Sequence, residues 1–275
     1  MGSPASELQS DGARFTDEVA YRLDPMGKLM AKIRPHLQNA PITEALIDFQ
    51  VRRASRLQPE AVHRAAEDID GFKPQGPVVS LETRFSMTDG GVKQVSQSRE
   101  LGVRLHSADG KYVMLWRTNG LSVSRLTPYE TWESLAAQAN VLWKVYRDRL
   151  PAIEVTRVAT RYVNQIRLPI KLGEEFEEYL TASPQIPKEL PQFVGGFTQR
   201  VEMATSDLNL RANVIQLFQD LNDDGATVVL DIDAFKPCEL SPESTVVWKL
   251  LDELRVFKNQ IFFAHITEKT VGLFA

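Results

Sequence analysis

Only one cysteine, Cys238, occurs among the 275 residues, so an intrachain disulfide cannot form. No uninterrupted apolar run approaches the ~18 residues that a transmembrane helix requires. The first residues of the chain are polar and lack the apolar core of a secretory signal. These absences predict a protein of the reducing cytoplasm that does not associate with a membrane.

Clusters of positive charge are missing as well. Lys and Arg total 32 against 36 Asp and Glu, which gives a formal net charge of −4. The basic residues are scattered among acidic ones, a pattern typical of an ordinary solvated surface. Because nucleic acids attract proteins mainly through clustered Lys and Arg, the composition argues against a nucleic-acid partner.

The signatures of common catalytic and cofactor sites are also absent. The chain contains neither a GxxxxGK[ST] phosphate loop nor a GxGxxG dinucleotide fingerprint. Its four histidines, His36, His63, His106 and His265, lie far apart, and none belongs to a known active-site motif. Cys238 has no CxxC or other redox context. We therefore expect no bound cofactor, and we favour a binding protein over an enzyme.

What the sequence does contain is one pattern of elements that occurs twice. Each copy predicts a strand, a short polar helix, three strands and a long amphipathic helix. A Trp-x-x-Leu step opens the last helix in both copies, at Trp132 and Leu135 and again at Trp248 and Leu251. This internal duplication predicts a pseudo-symmetric body with a groove or seam between its halves.

The pattern divides the chain into three parts. Residues 1–38 are predicted to form a flexible arm, with a short helix over 26–37 where apolar residues recur at helical spacing. Residues 39–150 form the first predicted α+β repeat, and residues 151–275 form the second. Together the two repeats are expected to build one body.

Strands and helices are predicted in the first repeat from hydrophobic periodicity and turn residues. The predicted strands span 42–51, 78–87, 92–107 and 111–126, and the predicted helices span 59–69 and 129–149. Asn119-Gly120 lies inside the last of these strands and is a strong turn signal. A tight turn there would divide that strand and give four consecutive strands instead of three.

In the second repeat the same approach predicts a shorter set of elements. Strands are expected over 153–168, 197–205, 209–219 and 226–234, and a short acidic helix over 174–180. Lys236-Pro237 is expected to end the sheet, and a final helix is expected to start at Ser241.

The fold class follows from the turns between the predicted strands. Thr88-Asp89-Gly90-Gly91 and Ser107-Ala108-Asp109-Gly110 favour hairpins, which join antiparallel strands. We therefore predict an α+β fold, a duplicated β-α-β-β-β-α unit in which a curved antiparallel sheet, or two such sheets, carries long helices packed on one face. Whether the halves share one sheet is left open.

A set of polar residues on the first strand of the second repeat is a candidate binding site. Arg157 and Arg161 are four residues apart and share a face of that strand, and Tyr162 and Asn164 complete the set. Guanidinium groups on an otherwise apolar face require carboxylate or phosphate partners. The arginines are expected either to pair within the protein or to capture an anionic ligand or partner segment at the seam.

Two carboxylates supply the second part of the candidate site. Asp231 and Asp233 alternate along a predicted strand, so both point to the same face. They are candidate partners for Arg157 and Arg161. Alternatively, two carboxylates on one face can hold Mg²⁺ or carry out acid–base chemistry, or they lie on a solvated face without a chemical role.

Three stretches of the sequence resemble a family of uncharacterised bacterial proteins with a sporadic distribution. They are APITEA at residues 40–45, RVATRYVN at 157–164, and WKLLDELR at 248–255 followed by Lys258-Asn259. The resemblance covers residues ~39–270 and leaves the arm outside. Because that family has no assigned activity, the resemblance implies no catalytic residues, and its sporadic occurrence suggests an accessory or defence-linked system.

Three functions are consistent with these observations. The first is a non-catalytic binding or regulatory protein that captures a protein or peptide partner in a groove between the repeats. The second is a binding protein for an anionic small molecule at the seam near Arg157 and Arg161. The third is a metal-dependent enzyme that uses Asp231 and Asp233. We rank them in this order.

Overall fold

The computed structural model describes residues 19–23, 29–33, 37–88, 91–170, 175–205 and 209–275. Features predicted from the sequence that lie outside these ranges are residues 1–18, 24–28 and 34–36 of the arm, which include residues near both ends of its predicted helix and His36, together with Asp89 and Gly90 of one predicted turn and Glu174 of the acidic helix. Within them the chain forms eleven strands: β1 (Val19–Leu23), β2 (Leu29–Ile33), β3 (Ile42–Arg52), β4 (Phe72–Thr88), β5 (Gly91–Ser107), β6 (Tyr112–Arg117), β7 (Gly120–Leu126), β8 (Glu154–Leu168), β9 (Thr198–Ala204), β10 (Arg211–Asn222) and β11 (Gly225–Leu240).

Four α-helices accompany these strands in the described part of the chain. They are α1 (Pro59–Ala65), α2 (Trp132–Arg149), α3 (Val246–His265) and α4 (Glu268–Val271), and a short 3-10 turn occupies Phe176–Glu178. Helix α2 starts where the side chain of Thr131 accepts a hydrogen bond from the amide of Ser134, a typical N-cap. None of the described helices combines the length and apolar character needed to cross a membrane.

Nine strands form one antiparallel sheet in the order β4-β5-β6-β7-β3-β8-β11-β10-β9. Its central pair is β3 with β8, which runs from Ile42 opposite Asn164 to Arg52 opposite Glu154. On one side of this pair β7, β6, β5 and β4 follow β3, and on the other side β11, β10 and β9 follow β8. On each side of the central pair, therefore, the strands that lie farther out come earlier in the chain.

The predicted fold class, a duplicated α+β unit with long helices packed on one face, is wrong. The described chain is mainly a single large antiparallel sheet, and residues in strands far outnumber residues in helices. Two strands are longer than predicted, because β4 already starts at Phe72 and β11 continues to Leu240. Hydrophobic periodicity locates strands but does not determine which strands pair, so the single sheet that spans both halves was not predicted.

Prolines inside the strands explain why these boundaries were misplaced. Pro74 and Pro77 lie in β4, an end strand of the sheet, where a missing N–H costs no ladder hydrogen bond. Pro237 lies in β11, and the pairing of β11 with β8 shifts register between Pro237 and Leu240. A bulge of this kind accommodates proline, so Lys236-Pro237 does not end the sheet.

Aromatic side chains from α2 and α3 contact the centre of the sheet. Phe49 of β3 stacks on Trp143 of α2 with ring centroids 4.5 Å apart, and it meets Trp248 of α3 edge-on at 5.8 Å. The indole nitrogen of Trp132 donates a hydrogen bond to Asp252 of α3 over 2.9 Å. Both tryptophans of the repeated Trp-x-x-Leu step therefore take part in contacts that join the helices to each other or to β3.

The described part of the N-terminal arm forms a two-stranded ribbon, in which β1 and β2 pair from Val19 opposite Ile33 to Leu23 opposite Leu29. The helix predicted over residues 26–37 is therefore wrong for 29–33. The segment between Pro25 and Pro35 is too short for a helix of useful stability, and pairing with β1 supplies its backbone hydrogen bonds instead.

The additional turn at Asn119-Gly120 is confirmed, because β6 ends at Arg117 and β7 starts at Gly120. Gly120 has a φ of +154°, which L-amino acids with a side chain rarely adopt. A Cβ atom at this position would overlap the carbonyl oxygen of Phe49 in β3. Glycine therefore allows β7 to start in direct contact with the central strand.

We expect Gly120→Ala to lower the free energy of unfolding by at least ~2 kcal/mol, because it combines backbone strain with a steric overlap. Gly110→Ala is the matched control, since Gly110 also has a positive φ but no atom lies within 4 Å of an added Cβ. Urea unfolding of both variants measures the difference. Equal losses of stability would show that contact with Phe49 does not matter.

Candidate functional site

The charged residues predicted to form a site lie together on one face of the sheet. Arg161 of β8 is directly opposite Asp233 of β11, and Asp231 and Arg157 lie at further alternate positions of these strands. Residues opposite each other in an antiparallel pair share a face, and so do alternate residues of one strand. The strand register therefore brings all four charged side chains to the same surface.

A third strand contributes a carboxylate that sequence reasoning missed. Asp48 of β3 is almost completely buried and accepts hydrogen bonds from Ser122 over 2.6 Å and from Arg157 over 3.1 Å. The guanidinium group of Arg117 also donates to Asp48. Arg157 then donates to Asp233 over 2.8 Å, so one continuous ion-pair network crosses from β6 to β11.

Arg161 and Asp231 form a separate bidentate pair beside this network. The Nε atom of Arg161 donates to Asp231 over 2.8 Å, and Nη2 donates to the second carboxylate oxygen. This hydrogen bond raises the pKa of Arg161 above its ordinary value. The side chain of Arg161 remains 45% exposed, whereas that of Asp231 is only 12% exposed.

Burial raises the pKa of Asp233 above that of an ordinary aspartate. The positive charge of Arg157 acts in the opposite direction, but the negative charge of Asp48 adds to the increase. Desolvation thus outweighs the ion pair with Arg157, although the two groups are 2.8 Å apart. Burial therefore makes the charged form of Asp233 costly, and the ion pair with Arg157 offsets part of that cost.

Tyr162 and Asn164 do not join this surface. They occupy the intervening positions of β8 and are buried on the opposite face. The hydroxyl groups of Tyr162 and Tyr129 are 3.1 Å apart, and the ammonium group of Lys258 lies 3.6 Å from the centre of the Tyr162 ring. Asn164 donates to the carbonyl oxygen of Leu230 over 2.9 Å. These contacts give both residues a role in packing.

The internal arginine–carboxylate pairing occupies the groups that a metal ion would need. Asp231 accepts from Arg161, and Asp233 accepts from Arg157. Among the described residues, no group of three or more His, Cys, Asp or Glu side chains is arranged to hold a metal ion. The seam between the predicted halves is the hydrogen-bonded β3–β8 pair.

A cavity lies away from this seam, at the end of the sheet where β3 leads into α1. Its volume is about 820 Å³, and it is lined by residues 53–57, by α1 and its C-terminal turn, and by the end of α2. A smaller cavity of about 300 Å³ shares Arg53 and extends towards Arg56 and Arg99. Five arginines line the two cavities: Arg53, Arg56, Arg64, Arg99 and Arg149.

Arg53 holds this region together through neutral acceptors. Its guanidinium group donates to the carbonyl oxygens of Thr118, over 3.1 Å, and of Leu150 and Pro151, and to the hydroxyl of Tyr146, over 2.7 Å. None of these partners is a carboxylate, so the positive charge of Arg53 is not neutralised by them. Four hydrogen bonds leave one of its five N–H groups for another acceptor.

Arg149 behaves in the same way at the end of α1. It donates to the carbonyl oxygens of Ala65, the last residue of α1, over 3.0 Å, and of Glu67 and Asp68 just beyond the helix. A cation at a helix C-terminus stabilises the helix dipole. Three hydrogen bonds leave two N–H groups of Arg149 for another acceptor.

The remaining three arginines are exposed, and none of them forms an ion pair within the described residues. They are Arg56, Arg64 and Arg99. Glu67 and Asp68 also line the larger cavity and partly offset the positive charge. The larger cavity thus has three guanidinium groups against two carboxylates, and the smaller one has three guanidinium groups and no carboxylate in its lining. Both carry an excess of positive charge, which favours phosphate or carboxylate ligands.

Sequence reasoning missed this cavity for a topological reason. Arg53, Arg56 and Arg64 are close in sequence, and this local concentration of arginine was the only available signal. Arg99 and Arg149 come from β5 and α2 and reach the same place only because α1 packs beside β5.

We expect Asp48→Asn to lower the free energy of unfolding by about 3 kcal/mol, because it leaves Arg117 without its carboxylate partner and Arg157 with Asp233 alone. The control is Glu202→Gln, which breaks an exposed pair with Arg200 and is expected to cost less than ~1 kcal/mol. Urea unfolding at neutral pH measures both values. A loss for Asp48→Asn no larger than that of the control contradicts a supporting role for the network.

We compared the whole chain with protein-family models and with curated proteins. Neither comparison found a match. The resemblance to a sporadically distributed bacterial family therefore stays a prediction, and any function has to be argued from the geometry of the described residues.

Proposed function

We propose that the protein binds an anionic small molecule in the arginine-lined cavity. One observation carries the proposal: the five arginines around the two cavities have no carboxylate partner within the described residues. On the central sheet face, by contrast, Arg157 and Arg161 are each paired with aspartates. A ligand anion would supply the missing countercharge at the cavity.

The roles of the arginines differ within this proposal. Arg53 and Arg149 are held by backbone carbonyl groups, and each retains N–H groups for a ligand. Arg56, Arg64 and Arg99 are exposed side chains that can move to meet it. Guanidinium groups that are held in place, together with exposed ones that can change conformation, suit phosphate or carboxylate groups, which guanidinium binds in a bidentate manner. The volume of about 820 Å³ lies in the range of small-molecule sites.

We expect inorganic pyrophosphate and citrate to bind to the full chain, with an affinity that falls as salt increases. Arg64→Gln should weaken binding by about tenfold, because one charge-assisted hydrogen bond is lost. Isothermal titration calorimetry measures the affinities. Arg211→Gln is the matched control, since Arg211 is an exposed arginine on β10 away from both cavities.

If neither probe binds, or if Arg211→Gln weakens binding as much as Arg64→Gln does, the cavity is not the site. Comparing the two probes also separates the ligand classes. Pyrophosphate binding alone indicates a phosphorylated ligand, and citrate binding alone indicates a polycarboxylate. Within the same proposal we place the protein in the cytoplasm, which its single cysteine supports.

Capture of a protein partner is the second candidate function, and one observation favours it. The irregular segment before β9 exposes two large apolar side chains, Leu190 at 54% and Phe193 at 60%. Exposed apolar clusters are common where proteins bind one another. Within this second candidate function we place the partner on this segment, because its apolar side chains are exposed.

If this segment binds a partner, Phe193→Ser should abolish stoichiometric co-purification of that partner from the native host while the protein remains folded. Val141→Ser is the matched control, because Val141 on α2 is 58% exposed. Affinity purification with quantitative mass spectrometry provides the measurement. Retention of the partner by the Phe193 variant contradicts the assignment.

A further inference from the structure

Strand β4 forms an unsupported edge at one end of the sheet. It pairs with β5 from Phe72 opposite Ser107 to Thr88 opposite Gly91. Strand β5 pairs with β6 only over residues 102–106. The outer parts of β4 and β5 therefore form a two-stranded ribbon that continues beyond the rest of the sheet, and no described strand pairs with the other edge of β4.

A ribbon of this kind needs further contacts. An isolated pair of strands is marginally stable in water, and a free edge presents a row of unpaired N–H and C=O groups. Natural edges are often protected by proline or lysine. From residue 78 to residue 88 β4 contains neither, and Val79 and Leu81 are 54% and 69% exposed. Glu82 and Arg84 are the only charged residues of this stretch, so they are all the charge that protects the outer edge of β4 against pairing.

The sequence of this edge is complementary to itself when it is read in the opposite direction. Residues 78–88 are VVSLETRFSMT, with Thr83 at the centre. If two copies pair antiparallel with Thr83 opposite Thr83, each residue faces one of matching character. The opposed pairs are Glu82 with Arg84, Leu81 with Phe85, Ser80 with Ser86, and Val79 with Met87.

Charge selects this register over its neighbours. Centring the pair on Glu82 would place two carboxylates opposite each other, and centring it on Arg84 would do the same for two guanidinium groups. Like charges directly opposite are destabilising, whereas opposite charges and apolar pairs are stabilising. A register centred between two residues would place a residue from one face of the sheet opposite a residue from the other face, which antiparallel pairing does not allow. The register centred on Thr83 therefore meets the fewest penalties.

We propose that β4 pairs with β4 of a second copy of this chain, antiparallel and in the register centred on Thr83. The two ribbons then form one four-stranded sheet across a two-fold axis. Such an interface is self-complementary, because each contact occurs twice by symmetry. Glu82 of each copy then faces Arg84 of the other, Leu81 faces Phe85, and Val79 faces Met87, so each of these pairs occurs twice in the dimer.

Charge reversal provides the first test. We expect sedimentation equilibrium of the full chain to give twice the monomer mass of 31.0 kDa. E82R and R84E should each raise the dimer dissociation constant at least tenfold, since each places like charges opposite one another. An equimolar mixture of E82R and R84E should recover the dimer as a heterodimer, and the double variant E82R/R84E should recover it as a homodimer.

A cysteine at the two-fold axis provides the second test. In a Cys238→Ala background, Thr83→Cys should form an intermolecular disulfide on mild oxidation, because directly opposed strand residues lie within disulfide distance. Ser80→Cys is the control, since its copies would lie about 20 Å apart in this register. Non-reducing electrophoresis detects the cross-link.

Several outcomes overturn the proposal. The proposal is overturned if the wild-type chain stays monomeric at all concentrations, or if E82R and R84E leave the dimer dissociation constant unchanged. Failure of the mixture and of the double variant to restore the dimer rejects the register, and so does equal cross-linking at positions 80 and 83.

Discussion

Backbone pairing between β3 and β8 is the constraint on which the other features of this structure depend. These two strands belong to different predicted halves of the chain, and they run side by side from Ile42 to Arg52. All other strands of the large sheet are added outwards from them. On one face the pair brings Asp48 next to Arg157, and on the other it carries Phe49, on which Trp143 stacks. A change in this register by one residue would exchange the two faces and separate both sets of contacts.

The two groups of arginines differ in a way that bears on function. Arg157 and Arg117 share buried Asp48, so their charges are neutralised at short range where water is scarce. Removing charged groups from water is costly, and the hydrogen bonds that Asp48 accepts from both arginines and from Ser122 offset part of this cost. Arg53 and Arg149 instead donate to carbonyl oxygens, which orient the guanidinium groups without cancelling their charge. Oriented but uncompensated charge is the property that a binding site for an anion requires.

Local sequence features predicted the local structure well and the pairing poorly. The Asn119-Gly120 turn was identified because such dipeptides favour the backbone angles of tight hairpins. The proximity of Arg161 to Asp231 was also foreseen, since both were assigned to strands with the correct alternation. The contact of Asp48 with Arg157 was not predicted, because no local sequence signal places β3 beside β8. The position of Tyr162 and Asn164 on the other face follows from strand alternation alone and could have been predicted.

The ribbon and the cavity are physically connected, which gives the two proposals a common consequence. Arg99, which lines the smaller cavity, lies on β5 opposite Ser80 of β4, just inside the proposed pairing region. The neighbouring Glu100 contacts His63 of α1, and α1 forms one wall of the larger cavity. An anion held by Arg99 would therefore restrict the base of the ribbon, and pairing of the ribbon with a second copy would restrict Arg99. Because thermodynamic linkage is reciprocal, any increase in dimer affinity caused by the ligand must equal the increase in ligand affinity caused by dimerisation.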